Sequence, residues 1–453
     1  MAKITERNND ISTAETWGSV DITPTDEVVV GTFATWTLTF TVGSYAMDVG
    51  GGLKIGTRRQ ADFGHPQFTD PTADNYATVT CSRPGATFET FFDPRGHKRP
   101  FNAVAVIRLT ATPLYPGDTI TIVLGDTTGG SRGLRVQSFP ESASDFAVFV
   151  DPLSSGEYKR VYCQSPNFSV LPGPSEYLTL VAPSLVGDGQ PFRVQVRGND
   201  RFGNPTPVTA EGLELSTTPP VPVTLSEGNG RATWINGVTL SGPGVHRLEL
   251  RSGDEVLARS NPILVGDHGD DILCWGDTQA QTASTVGIGT PDEYFAYARD
   301  LAAIDFTTHQ GNDFILSDKD LEEVRQAALK HNRPGRFAAF FGWEWSGPTG
   351  TGGDRNVLFL DDEGPIFRKS LETLELTLAP GDAIFLFSPS AFQCTSPSGK
   401  QLGEAGVYSL AKIAIENGLD AMQQKLEQFL GGAPADDLAF ALLRDNRFDR
   451  DAA

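Results

Sequence analysis

The chain has 453 residues, enough for about three domains at roughly 150 residues each. Its 36 Lys and Arg against 57 Asp and Glu leave a net charge of −21, which argues against nucleic acid and anionic membrane surfaces as electrostatically driven partners and leaves room for a local basic patch alone. With 39% hydrophobic and 21% charged residues the composition is globular, and 48 Gly with 30 Pro require many turns between short strands.

Residues 1–10 lack an apolar leader core, and no uninterrupted apolar stretch reaches the roughly 18 to 20 residues of a membrane span, so a cytoplasmic location is expected. Cys81, Cys163, Cys274 and Cys394 lie far apart with no CxxC spacing. That spacing predicts buried free thiols rather than a zinc ribbon or a disulfide framework.

Between residues 20 and 165 the runs Glu27-Val-Val-Val30, Thr35-Trp-Thr-Leu-Thr-Phe-Thr-Val42 and Asn102-Ala-Val-Ala-Val-Ile-Arg-Leu-Thr110 are alternating or β-branched. They predict half-buried strands of an antiparallel sandwich. A second strand-rich segment carries Tyr177-Leu-Thr-Leu-Val181, Phe192-Arg-Val-Gln-Val196, Arg231-Ala-Thr-Trp234 and His246-Arg-Leu-Glu-Leu250. Its turn spacing suits an immunoglobulin-like module, with Asp200 expected to cap its own loop rather than bind calcium.

The pattern changes near residue 270. Asp271-Ile-Leu-Cys-Trp275 reads as a short strand, and Thr290-Pro-Asp-Glu293 supplies an N-cap, a first-turn proline and a capping-box glutamate for a helix. Ile304-Asp-Phe-Thr-Thr308 predicts a second strand, and Ser317 with Asp320 caps a second helix whose apolar stripe is Leu321, Val324 and Ala328. Phe337-Ala-Ala-Phe-Phe341 and Asn356-Val-Leu-Phe-Leu360 supply two further strands. Strands alternating with helices imply a parallel α/β unit, in which the polar residues following each strand collect on one rim. Here that rim would carry Asp277, His309, Asp313, Glu344 and Asp354. Carboxylates and an imidazole from separate strand ends suit a divalent cation, and solvated loop positions or helix caps are the alternative.

The motifs Gly276-Asp277, Gly289-Thr-Pro-Asp-Glu-Tyr-Phe-Ala-Tyr-Ala-Arg-Asp300, Pro334-Gly-Arg-Phe337, Gly342-Trp-Glu-Trp-Ser346 and Gly352-Gly-Asp-Arg-Asn-Val357 resemble an uncharacterised bacterial domain-of-unknown-function family. That family is similar to the polymerase-and-histidinol-phosphatase (PHP) superfamily of metal-dependent phosphoesterases, and the resemblance spans about residues 15 to 366. It implies a partial barrel-like α/β region with Asp277 and Glu344 at matching metal positions. Gln279 and Gln281 stand where the first His-x-His pair would lie, Asn312 where the next histidine would lie, and Asp354 where another histidine is expected. From Leu371 onward, Leu374-Glu-Leu-Thr-Leu-Ala-Pro-Gly-Asp-Ala-Ile-Phe-Leu-Phe-Ser388, Gly403-Glu-Ala-Gly406 and the stretch around Asp436 and Asp437 resemble the C-terminal third of the sporulation-type metal-dependent protein phosphatases. Ser388-Pro389-Ser390 replaces the Ser-Asp-Gly of that family.

The expected fold class is multidomain β plus α/β: two antiparallel β-sandwich modules at 15–168 and 172–266, a partial PHP-like α/β region at 268–366, and a short phosphatase-like α/β tail at 371–453, read from its residues as strand, helix, strand. Asp277, His309, Glu344 and Asp354 form the expected metal set, for Mg²⁺ or Mn²⁺ rather than Zn²⁺ because the matching amides are oxygen donors. Asp313 is the expected proton acceptor and Arg355 the anion contact, on a small-molecule or ester substrate. The alternative is a non-catalytic β-sandwich binding or scaffold protein.

Overall fold

A computed structural model describes residues 13–208, 212–217, 221–222, 230–269, 271–347, 353–362, 364–366, 383–387, 396–431 and 440–444. It divides into two compact units, Met1–Lys369 and Ser370–Ala453. The described chain is mostly β, and among the described residues no helix is long and apolar enough to cross a membrane.

The first module stacks two five-stranded sheets. Alternation in Trp36–Thr41 buries Trp36, Leu38 and Phe40 and leaves the threonines half-buried, so one face of the strand builds the core. That face meets Leu53, Ile55, Ile107, Leu109 and Val148 of the opposing sheet in a single cluster. Trp36 is fully buried and packs against Phe146 and Phe168 with ring centroids 5.1 and 5.3 Å away. The sheets are not purely antiparallel as expected. Ser19–Thr23 pairs in parallel with Tyr162–Cys163, and Phe168–Leu171 with Val28–Val29, because the returning C-terminal stretch of the module lies alongside its N-terminal edge.

The second module has its own core of Leu180, Val194, Val196, Ile235, Leu250 and Val265 among others. Tyr177–Val181 and Phe192–Asn199 are strands, whereas the expected strand at His246–Leu250 is two strands, Gly244–His246 and Glu249–Ser252, paired in different sheets. Asp200 does cap its loop, accepting the N–H groups of Phe202, Asn204 and Gly173 at 2.8 to 3.0 Å.

The α/β region runs β1 (Gly276–Ala280), α1 (Pro291–Tyr297), β2 (Phe306–His309), α2 (Asp318–His331), β3 (Ala338–Trp345) and β4 (Arg355–Phe359). Both capping boxes form: Thr290 with Glu293, and Ser317 with Asp320. Thr290→Ala should therefore cost about 1 kcal/mol of stability in urea unfolding, and an unchanged midpoint would mean that tertiary contacts alone hold α1. Lys330 and His331 at the end of α2 both donate to Asp292, at 2.6 and 2.8 Å, tying the two helices together.

Asp271–Trp275 is not a strand: Ile272, Leu273 and Trp275 are 83, 51 and 60% exposed, and β1 begins one residue later. Cys274 is exposed, Cys81 and Cys163 are half-buried, and Cys394 lies outside the described residues. The β4 strand pairs antiparallel to β3, so only β1, β2 and β3 are parallel, and the four form an open sheet rather than a clear barrel. The sheet is nevertheless strongly curled. The Asn356 side-chain amide on β4 donates to the Thr278 carbonyl on β1 at 2.7 Å, across a gap that would be about 14 Å in a flat sheet.

Polar side chains join the three parts of this first unit. Asn204 donates to the Ser138 carbonyl at 2.8 Å, Ser142 to Glu293 at 2.7 Å, Arg58 to the Thr285 carbonyl at 3.0 Å, and Arg197 to the Leu301 carbonyl at 2.6 Å.

In the second unit, α3 (Gly403–Asn417) and α4 (Leu419–Leu430) meet at Gly418, whose φ of +89° suits glycine. The expectation of one helix between two strands missed α3. Leu410, Ala414, Met422 and Leu426 form the helical core, while Leu419 is on the exposed side. Ala383–Phe387 pairs antiparallel with Phe440–Arg444. Asp436, Asp437 and Ser388-Pro389-Ser390 lie outside the described residues.

Candidate functional site

Alternation places Gly342, Glu344 and Ser346 on one face at the end of β3, with Trp343 turned to the other and 2% exposed. Gly342 has to be small: a Cβ there would lie 2.4 Å from the Val357 carbonyl oxygen and 2.5 Å from the Gln310 amide nitrogen. Past the end of β2 the chain keeps pairing with β3, because Glu344 donates its N–H to the Gly311 carbonyl and accepts from Asp313 N–H through its own, both at 2.9 Å. That continuation carries Asn312 to the Glu344 carboxylate.

Glu344 is 4% exposed and makes no salt bridge among the described residues. Its Oε2 accepts from Gln279 Nε2 at 2.5 Å and Gln281 Nε2 at 3.2 Å, and its Oε1 from Asn312 Nδ2 at 2.5 Å and Ser346 Oγ at 3.3 Å. An ionised carboxylate only accepts, so all three amides turn their NH₂ groups to it. Burial, then the charge of Asp354, holds the Glu344 carboxyl above its ordinary range, against the opposing hydrogen bonds. Thr285 donates to Gln281 Oε1 at 2.7 Å, while Asn312 Oδ1 is buried with no partner among the described residues.

The other expected residues are distributed around this ring. His309 is the last residue of β2 and fully buried. Gly311 N–H donates to its Nδ1 at 3.2 Å, so the ring proton belongs on Nε2, which lies 2.9 Å from Thr282 Oγ1. Burial pushes the imidazole down to about 3, so it is neutral at physiological pH with both nitrogens bonded. Asp313 is fully buried, and its Oδ1 accepts from Ser346 N–H at 3.1 Å. Asp277 is exposed within β1 and caps Gln279 N–H at 2.9 Å. Asp354 is exposed just ahead of β4, and the Arg355 guanidinium donates to the Asp354 carbonyl at 2.9 Å.

Among the described residues no three His, Cys, Asp or Glu side chains converge closely enough to hold a metal ion. The donor set, as placed, does not fit a divalent cation: one carboxylate faces three N–H donors, which repel a cation, and the nearest imidazole has no free lone pair. Glu344, Asn312 and Asp313 are brought together, while Asp277, His309 and Arg355 bond elsewhere. Ser346 was missed by the sequence reading, although its period-2 relation to Glu344 was a usable signal.

Residues 277–374 match the family described as Protein of unknown function (DUF3604). Uncharacterised proteins of Chlamydia trachomatis serovar D and Chlamydia muridarum are each 22% identical to this chain over 266 residues, 54% of this chain and 41% of theirs. The chain thus spans about two-fifths of the length of these relatives. Among solved structures, a non-cellulosomal cohesin from Archaeoglobus fulgidus has 13% identity and a TM-score of 0.20, covering 34% of this chain and 90% of its own. Yersinia pseudotuberculosis InvD has 12% identity and a TM-score of 0.21, covering 58% and 62%.

Proposed function

We propose that this chain is a non-catalytic, β-rich binding or scaffold protein whose α/β region completes the fold instead of performing hydrolysis. The observation that supports this most directly is the closed ring around Glu344. Gln279, Gln281 and Asn312 occupy the positions at which the PHP resemblance calls for imidazoles, and each spends its N–H on the carboxylate a metal would need. Neutral amides donating to a buried carboxylate satisfy its acceptor oxygens, so the cluster serves as a structural network, with Asn312 Oδ1 left without a partner among the described residues.

The competing reading is a weak Mg²⁺- or Mn²⁺-dependent phosphoester or ester hydrolase, with Asp277, Glu344 and Asp354 turned to a cation, Asp313 accepting a proton and Arg355 meeting the anion. Thermal melts separate the two. Millimolar MnCl₂ or MgCl₂ should leave the melting temperature of the wild type within about 1 °C of its metal-free value, and Glu344→Gln should respond identically. A metal-dependent rise that Glu344→Gln blunts would restore the hydrolase reading.

A further inference from the structure

A cleft of about 980 Å³ opens where the two sandwiches and the α/β region of the first unit meet. Its walls include Trp234 and Arg231 of the second module, Tyr294, Tyr297 and Arg336 of the α/β region, and Glu141 of the first module. Gln281, one of the amides on Glu344, also borders it. The Trp234 ring carries two guanidiniums: Arg193, 4.1 Å from the centroid on the side of a neighbouring cleft, and Arg336, 5.9 Å away. In a chain of net charge −21, two guanidiniums meet on this one ring. Among the described residues neither Arg231 nor Arg336 forms a side-chain ion pair, and Asp300 and Asp305 act on Arg193 only at longer range.

The carboxyl groups of the cleft are already engaged. Glu293 holds the N-cap of α1 and the Ser142 hydroxyl, Asp300 pairs with Arg299, and Glu141 accepts from Gln137. They leave the two arginines available but make the cleft hostile to a multiply charged anion. A planar guanidinium suits a carboxylate, and Tyr297, which is 42% exposed, offers a face for an aromatic body beside the edge of the Trp234 ring.

We propose that this cleft is a recognition site for an aromatic monocarboxylate, with Arg231 and Arg336 binding the carboxylate and Trp234 and Tyr297 flanking the ring. The site extends the binding-protein reading to a defined ligand class and rests on that reading only in assigning the cleft recognition rather than chemistry. The metal melts test that reading separately, because they address the Glu344 ring.

Isothermal titration of the full chain with naphthalene-2-carboxylate should give saturable binding at one site. The matched alcohol, 2-naphthalenemethanol, should bind about tenfold more weakly or worse, and inorganic phosphate should not compete. Arg336→Gln, on an exposed loop, and Arg231→Gln should each weaken the carboxylate by about tenfold, while Arg108→Gln, remote and paired with Glu89, should not. Absence of saturation, equal affinity for the alcohol, displacement by phosphate, indifference to both arginine variants, or equal weakening by Arg108→Gln would overturn the proposal.

Discussion

Glu344→Ala is expected to lower the unfolding free energy of the chain by about 2 to 3 kcal/mol, because it strands the buried Asn312 donor, which costs roughly 1 to 3 kcal/mol when left short of an acceptor, and removes the hydrogen bonds to a charged acceptor. Gln279, Gln281 and Asn312 all direct N–H groups at this one side chain, which is 4% exposed; with alanine in its place the exposed Gln279 and half-buried Gln281 can turn to water, whereas the buried Asn312 amide keeps the Ser346 hydroxyl alone among these acceptors. Glu344→Gln is expected to cost less, about 1 to 2 kcal/mol: it keeps the shape and one acceptor oxygen but turns an NH₂ toward a neighbouring donor. Urea unfolding of the two variants beside the wild type measures both losses. If Glu344→Ala falls within about 1 kcal/mol of wild type, the amides have other acceptors and the ring is not a structural network.

Glu141→Gln is expected to stabilise the protein, and only at neutral and alkaline pH. Burial, reinforced by the charge of Asp145, pushes the Glu141 carboxyl up to about 7 from an ordinary 4.5, while bonds from Ser144 and Gln137 and the charge of Arg58 pull the other way. The folded state therefore holds its proton more tightly than the unfolded chain. Below pH 4.5 both states are protonated and the group is without effect; as pH rises toward 7 the unfolded chain ionises first and stability falls; above 7 the full penalty, on the order of 3 kcal/mol, is present. Glutamine removes that penalty and still offers an acceptor to the Gln137 amide, 3.3 Å from the present Oε2. The variant and wild type should thus unfold together at pH 4 and diverge by about 3 kcal/mol at pH 8. A constant difference across that range would show that Glu141 is ionised throughout.

The features legible in the sequence are those whose causes lie within a few residues. The two capping boxes are i to i+3 exchanges between neighbours, Thr290 with Glu293 and Ser317 with Asp320, and they form where the text places them. Alternation in Trp36–Thr41 likewise carries its own account of which side is buried. The resemblance also placed Gln279, Gln281, Asn312 and Glu344 at related positions, and the fold does bring these four together.

Their roles were decided elsewhere. Strand ends depend on which neighbour remains available for pairing, so β1 starts after Trp275, β2 extends to His309 and β3 runs through Glu344. That shift takes His309 from a rim to a buried position with both nitrogens bonded, and leaves Asp277 exposed within its strand. Which way an amide faces is set by the charge it meets, and the carboxylate that orients Gln279 comes from 65 residues away. The same holds for the cleft, where Trp234 and Arg336 share a ring contact across modules. Composition, periodicity and caps are local properties that a sequence determines by itself; donor orientation, exposure and convergence arise from contacts between distant segments, and only the tertiary structure decides them.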